Sequence, residues 1–308
     1  MDHLETTPQA EHLPLLRETL AHHLATDAPL SWTTTGRTWH LAGDRPLIMG
    51  VVNCTPDSFS DGGSFHEVAA AVAHGLALAR AGADILDVGG ESTRPGATPV
   101  SQEEELRRVI PVIQGLAQRL PIAISVDTSK AAVMAAALEA GASLVNDVTA
   151  LRGDPQAAAL LAPLSVPVIL MHMAGSPQTM QQEPRYWNPV VEIYAFLKER
   201  VDWCLANGFG RERLWLDPGI GFGKERQHNL GLLRHLRLFR GLGAPLLVGV
   251  SRKRIVGELT GIPEPSRRDV GSMVLGAMCV LEGARILRVH EVEGVQQALH
   301  VVKGWMNF

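Results

Sequence analysis

The chain has 308 residues, 46% of them apolar and 19% charged, which suits a globular protein able to bury a large core. A net charge of −4 excludes a broad basic face for nucleic acid, and no run of about eighteen apolar residues is available to cross a membrane. Cys54, Cys204 and Cys279 are odd in number and share no CxxC spacing, so neither a disulfide framework nor a zinc site is expected. The start of the chain lacks the basic and apolar regions of a signal peptide, and the expected compartment is the cytoplasm.

Residues 1–45 read as an N-terminal extension. Leu13, Leu16, Leu20 and Leu24 recur at spacings of three and four, as in a short amphipathic helix. Leu30-Ser31-Trp32 and Arg37-Thr38-Trp39-His40-Leu41 flank Thr33-Thr34-Thr35-Gly36, which predicts a β-hairpin, expected to cap the amino-terminal end of the following domain.

Residues 46–308 repeat one pattern eight times: a short apolar run, a polar ending, then a stretch with helical periodicity. Leu47–Val52 ends at Asn53, Asp84–Val88 runs into Gly89-Gly90-Glu91, Ile122–Val126 ends at Asp127, and Ser143–Val145 ends at Asn146-Asp147. Pro167–Met171 ends at His172, Arg213–Leu216 at Asp217, and Pro245–Val250 at Ser251-Arg252-Lys253; Arg285–Val289 carries Arg288 and ends at His290. Such alternation predicts an α/β fold, a (βα)8 TIM barrel, whose chemistry sits at the carboxyl ends of the strands.

Helix signals agree. Glu67–Ala81 stops at Gly82, Ser129–Ala140 at Gly141, Asn188–Asn207 at Gly208 and Arg267–Glu282 at Gly283, each glycine suited to a left-handed cap. Ser101 and Glu104 have the spacing of a capping box for a helix running to about Leu120. Three longer segments, Thr55–Ser64, Ser92–Val100 and Met173–Asn188, are rich in Gly, Pro, Ser and Thr and fall on the catalytic rim, where barrel enzymes place substrate-covering loops.

Some motifs are turned down. Gly219-Ile220-Gly221-Phe222-Gly223-Lys224 has the wrong glycine spacing for a phosphate loop and is followed by Glu225 instead of Ser or Thr. Twelve histidines include no HExxH, so zinc is not expected. Cys54 reads as a small packed thiol.

The strand ends together carry a resemblance. Met49–Gly63 (MGVVNCTPDSFSDGG), Asp87–Gly96 (DVGGESTRPG), Ser125–Lys130 (SVDTSK), Asn146-Asp147, Leu170–Met173 (LMHM), Leu216–Lys224 (LDPGIGFGK), Val248–Lys253 (VGVSRK) and Arg288–His290 (RVH) follow one another in order. Over roughly Pro46 to Val302 the chain resembles the dihydropteroate synthase family of folate biosynthesis. Cys54, where the family usually has an apolar residue, is the chief departure, and Ala174, where a polar residue is commoner, a milder one.

The resemblance implies a (βα)8 barrel that condenses 6-hydroxymethyl-7,8-dihydropterin pyrophosphate with 4-aminobenzoate, assisted by Mg2+, and a homodimer packed through the later barrel helices. A pterin presents an amide and an exocyclic amine and so wants carboxylate and amide partners; Asp127, Asn146 and Asp217 can supply them, with Lys253 reaching the ring and Met171 and Gly249 lining its faces. Asn53 offers an oxygen to the magnesium, and Arg288 and His290, two apart on one strand, point to the same side for the pyrophosphate. The family pattern further places Thr93, Arg94, Pro95, Phe222 and Ser251 around the aminobenzoate, with Phe59 from the first loop, and gives Asp57 the role of holding that loop closed. Two alternatives use parts of the same set: a pterin-dependent methyltransferase, which needs no pyrophosphate or aminobenzoate site, and a non-catalytic pterin-binding paralogue.

Overall fold

The computed structural model describes residues 30–34, 37–41, 45–55 and 64–306, with the backbone alone at 30–34, 37–41, 64 and 65. Strands β1 (Leu30–Thr34) and β2 (Arg37–Leu41) pair antiparallel with Thr34 opposite Arg37, so the expected hairpin forms. The helix expected around Leu13–Leu24 lies outside the described residues, as do Asp57 and Phe59.

Eight further strands are β3 (Leu47–Asn53), β4 (Ile85–Gly89), β5 (Ala123–Asp127), β6 (Leu144–Asp147), β7 (Val168–Met171), β8 (Leu214–Asp217), β9 (Leu247–Val248) and β10 (Ile286–Val289). They pair in parallel in the order β8-β7-β6-β5-β4-β3-β10-β9. A parallel bridge between Leu216 and Leu246 joins the two edges, and the Leu216 N–H donates to the Pro245 carbonyl at 2.9 Å. The seventh barrel strand is shorter than Pro245–Val250. Pro245 has no N–H for a ladder, and the Val250 carbonyl accepts instead from Lys253 N–H in a turn.

Strand parity sorts the side chains. Leu47, Met49, Ile85, Ala123, Leu144, Ile169, Trp215, Leu247 and Ile286 form a separate buried cluster, one or two from every barrel strand, filling the interior. Their neighbours one residue on, including Ile48, Leu86, Ile124, Val145, Leu170, Leu216, Val248 and Leu287, belong to the larger cluster against the helices. A strand alternates its faces with period two. Counting on by two from the interior cluster therefore gives Val51 and Asn53, Asp87, Ser125 and Asp127, Asn146, Met171, Asp217, Gly249, and Arg288. The apolar filling becomes polar at the carboxyl end.

The helices are α1 (Ser64–Arg80), α2 (Gln102–Ala117), α3 (Ala131–Glu139), α4 (Pro155–Leu161), α5 (Pro189–Ala206), α6 (Arg226–Arg234), α7 (Leu236–Phe239), α8 (Arg254–Thr260), α9 (Asp269–Leu281) and α10 (Glu293–Met306). Gly82, Gly141, Gly208 and Gly283 follow α1, α3, α5 and α9 with positive φ, so the expected stops hold. The capping box at α2 is only half made: Ser101 Oγ accepts from Glu104 N–H at 3.2 Å, but the Glu104 carboxylate turns away to Arg107 and Arg108, which offer charged donors at 2.7–2.8 Å. Among the described residues no helix is long and apolar enough to cross a membrane.

Candidate active site

Asp87, on β4, is fully buried and lies at the centre of the polar layer. Its Oδ2 accepts from Asn146 Nδ2 of β6 at 3.1 Å and from Arg288 Nε of β10 at 2.6 Å. Arg288 also donates through Nη2 to Asp127 Oδ2 of β5 at 2.8 Å. Asp87, Asn146 and Arg288 come from alternate strands, the way barrel interiors are layered, and the remaining alternate strand, β8, ends in Asp217. No role was assigned to Asp87 from the sequence. The signal that could have found it is its place two residues after the interior Ile85, an acid where parity predicts an inward side chain.

Burial governs the charges. It pushes the Asp127 carboxyl up to about 7, with the negative charge of Asp87 adding and Arg288 opposing. Asp217 is raised by burial too, while Lys253 and the Gly219 N–H, which donates to Asp217 Oδ1 at 2.7 Å, pull the other way. Burial lowers Lys253 to about 8, partly offset by Asp217. Arg288 stays charged: desolvation works against its cation, but Asp87 and Asp127 more than offset it.

An apolar cluster lies beside the polar layer. Met171, Met173 and Met180 form one cluster with Val148 and Phe222 packed on it, so Met171 and Phe222, expected at different substrates, share one apolar cluster. Lys253 Nζ lies 4.5 Å from the Phe222 ring centre and donates to the Ile220 carbonyl. A Cβ on Gly249 would meet both Lys253 Nζ and Arg288 Cβ at 3.6 Å. Glycine at this position keeps a side chain out of the space between the two cations.

The loop holding Phe222 is stitched from below. Gly219, at φ +69, lies so close to the His172 carbonyl that a Cβ would come within 1.8 Å of its oxygen. Buried Lys224 reaches His172 Nδ1 at 3.0 Å and donates to the Phe222 carbonyl at 2.9 Å. This lysine is spent on its own loop, which agrees with turning down the phosphate-loop reading. From the segment after β7, Gln181 Nε2 donates to the Gly221 carbonyl and Tyr186 Oη to the Gly223 carbonyl, both at 2.9 Å.

At the other side of the mouth, Ser251 Oγ accepts from His290 N–H at 3.2 Å and lies 3.0 Å from His290 Nδ1. Burial, then Arg288, Arg252 and Arg94, push His290 down to about 3, so its ring is neutral near pH 7. The same charges put Arg94 within electrostatic reach of His290. Thr93 is half-buried and Arg94 and Pro95 are exposed, on a loop tied across the mouth by Gly96 N–H to the Pro177 carbonyl at 3.1 Å. Arg288, expected at the pyrophosphate, has Nε and Nη2 on the buried carboxylates Asp87 and Asp127. Buried Cys54 is pushed up to about 12, in keeping with a packed thiol.

Between Ser251 and Lys253, Arg252 has φ +59, a conformation that costs a residue with a side chain on the order of 1–3 kcal/mol. Only a well-tied surrounding structure sustains it.

Comparison with known proteins matches this geometry. The family described as "Pterin binding enzyme" matches residues 49–290. The dihydropteroate synthase of Escherichia coli K12 is 45% identical over 263 residues, covering 85% of this chain and 93% of the relative. Among solved structures, Xanthomonas albilineans dihydropteroate synthase with 4-aminobenzoic acid superposes with a TM-score of 0.85 at 49% identity, covering 91% of this chain and 100% of that one. The same organism's enzyme with 7,8-dihydropteroate gives 0.82 at 47% identity, covering 90% and 99%. The chain belongs to the pterin-binding enzymes and, within them, to the dihydropteroate synthases, a family of transferases.

Proposed function

We propose that the chain joins 6-hydroxymethyl-7,8-dihydropterin pyrophosphate to 4-aminobenzoate in an ordered reaction, giving 7,8-dihydropteroate and pyrophosphate. The observation that carries this reading is the inward polar layer: buried Asp87, Asp127, Asn146 and Asp217 around a slot floored by Gly249 and flanked by Arg288 and Lys253. Carboxylates and an amide match the donors of a pterin edge, and the His290–Ser251 corner leads to the rim loop with Arg94. The C–O bond to pyrophosphate breaks first, the oxygen keeping the electron pair. Asp127 and Asp217 stabilise the positive charge left on the pterin methylene. The aminobenzoate nitrogen then forms the new C–N bond and releases a proton.

Magnesium fits the donors present. Among the described residues no group of three or more His, Cys, Asp or Glu gathers as a dedicated metal cage. A magnesium held mainly by substrate phosphates and water needs only one or two protein oxygens, and half-buried Asn53 at the end of β3 presents one at the mouth. Bound there, the ion would neutralise charge on the departing pyrophosphate. Three buried free cysteines suit a reducing compartment, which supports the cytoplasm. A homodimer is the assembly we favour, through the apolar outer face of α9.

An assay supplying both substrates and magnesium tests this directly. Dihydropteroate and pyrophosphate should form one for one. Absence of product, or pterin binding without condensation, would overturn the reading.

A further inference from the structure

We propose that Arg252 is a positioning residue: α9 holds it in a left-handed backbone conformation that seats Lys253 in the pterin slot and Ser251 against His290. The proposal rests on the reading that Lys253 meets the pterin.

The Lys253 N–H donates to the Val250 carbonyl at 3.2 Å, closing a four-residue turn with Arg252 at its third position. Positive φ at that position of a turn ordinarily selects Gly or Asn. Here an arginine occupies it, and its N–H, its carbonyl and two nitrogens of its guanidinium are gripped from α9 and the turn leading into it. The Arg252 N–H donates to Ser272 Oγ at 2.9 Å, and its carbonyl accepts from Arg268 Nη1 at 3.0 Å. The guanidinium meets Asp269 through two bonds, Nε to Oδ1 at 2.7 Å and Nη2 to Oδ2 at 2.9 Å. Ser272 is itself oriented by donating to the Arg268 carbonyl at 2.6 Å. A planar fork held at both carboxylate oxygens is fixed in orientation as well as position.

Geometry explains why this matters to the site. An extended backbone at Arg252 would carry Lys253 onward along the strand direction, out of the barrel mouth. The left-handed residue turns the chain back, so that Lys253 Nζ reaches the Ile220 carbonyl and the face of Phe222. The same turn leaves Ser251 Oγ facing His290. One strained residue thus sets one group at the pterin slot and another at the anion corner.

The test is a comparison of Arg252→Ala with Arg252→Gly, alongside Asp269→Asn, each checked for folding by circular dichroism. Alanine loses the clamp and resists positive φ, whereas glycine loses the clamp but adopts positive φ freely. The expected result is a fall in kcat/KM for the pterin substrate of about tenfold or more in Arg252→Ala, and recovery to within about threefold of the parent in Arg252→Gly. Asp269→Asn, which keeps arginine at position 252 but weakens the fork that holds it, should fall between them. Equal activity in the alanine and glycine variants, or parental activity in Asp269→Asn, would overturn the proposal while the parent's own activity left the assigned reaction standing. If Arg252→Ala does not fold, Asp269→Asn against Asp269→Asn/Arg252→Gly gives the same comparison, with the double variant the more active. A parent that forms no dihydropteroate would instead sink the assigned reaction.

Discussion

Burial raises Asp127 to about 7 and lowers Lys253 to about 8, so two groups facing one slot titrate within a narrow span. In the proposed reaction the pterin donors need an ionised Asp127, and Lys253 works as a cation. Affinity for the pterin should therefore climb as pH rises through about 7, when Asp127 loses its proton, and fall above about 8, when Lys253 loses its own. Calorimetry across pH 5.5 to 9.5 checks this, and a flat profile would remove these two groups from recognition. At neutral pH, Asp127→Ala and Asp217→Ala should each cost about 1.5–3 kcal/mol of pterin binding, roughly ten- to more than a hundredfold. Arg288 and His290 should separate. His290→Ala should impair binding of the pyrophosphate substrate and spare a pterin without phosphates. Arg288→Ala removes the cation shared by Asp87 and Asp127, and it should weaken both ligands while destabilising the fold by about 3 kcal/mol. Chemical denaturation alongside the binding measurements distinguishes the two cases.

In the loops and the elements behind them, the proposed order of binding can be tested. Thr93, Arg94 and Pro95 sit on a rim loop held by few bonds, and fixing such residues costs on the order of 1–2 kcal/mol each in backbone entropy. Aminobenzoate should consequently bind the free protein weakly and bind clearly once pyrophosphate and magnesium are present. Equally tight binding in both conditions would refute the ordered scheme. The loop after β8 is the opposite case, tied by Lys224, Gln181 and Tyr186. Gly219→Ala would drive a methyl group into the His172 carbonyl while forcing positive φ on a residue with a side chain. It should destabilise the protein by more than about 1 kcal/mol, read from the denaturation midpoint, and displace Phe222.

The whole molecule leaves an apolar surface outside its barrel. On α9, Val270 is 74% exposed, Val274 57% and Met278 56%, at spacings of four that put them on one face, and on α10 Val301 and Trp305 are exposed as well. Leu275, Cys279 and Val280, on the other side of α9, are buried in the core, with Met273 and Ala277 partly buried against it, so one helix serves both the core and an outward face. Such surface exceeds what scattered single residues explain. Val270→Glu with Val274→Glu should shift the sedimentation coefficient from dimer to monomer; an unchanged value would place the interface elsewhere.

Eight apolar runs with polar ends were legible as a barrel because strand and helix periodicities are local, and period-two alternation alone predicts which residues face inward. Asn53, Asp127, Asn146, Met171, Asp217, Gly249 and Arg288 all fall on that inward count. Local signals also placed the glycines that stop α1, α3, α5 and α9. What only the folded chain decided is which groups meet. Asp87 lies 201 residues before Arg288 in the chain, yet the two side chains are hydrogen-bonded, and nothing local predicts that barrel closure sets β10 beside β3 and across from Asp87. Nor could spacing show that Glu104 would prefer two arginines to its own helix terminus, or that Lys224 would be consumed by carbonyls beneath its loop. Arg252 marks the limit most clearly. Its sequence neighbours suggest a strand end, and only contacts from α9 make a left-handed arginine affordable, because strain at one residue is sustained by bonds from an element that is distant until the barrel closes.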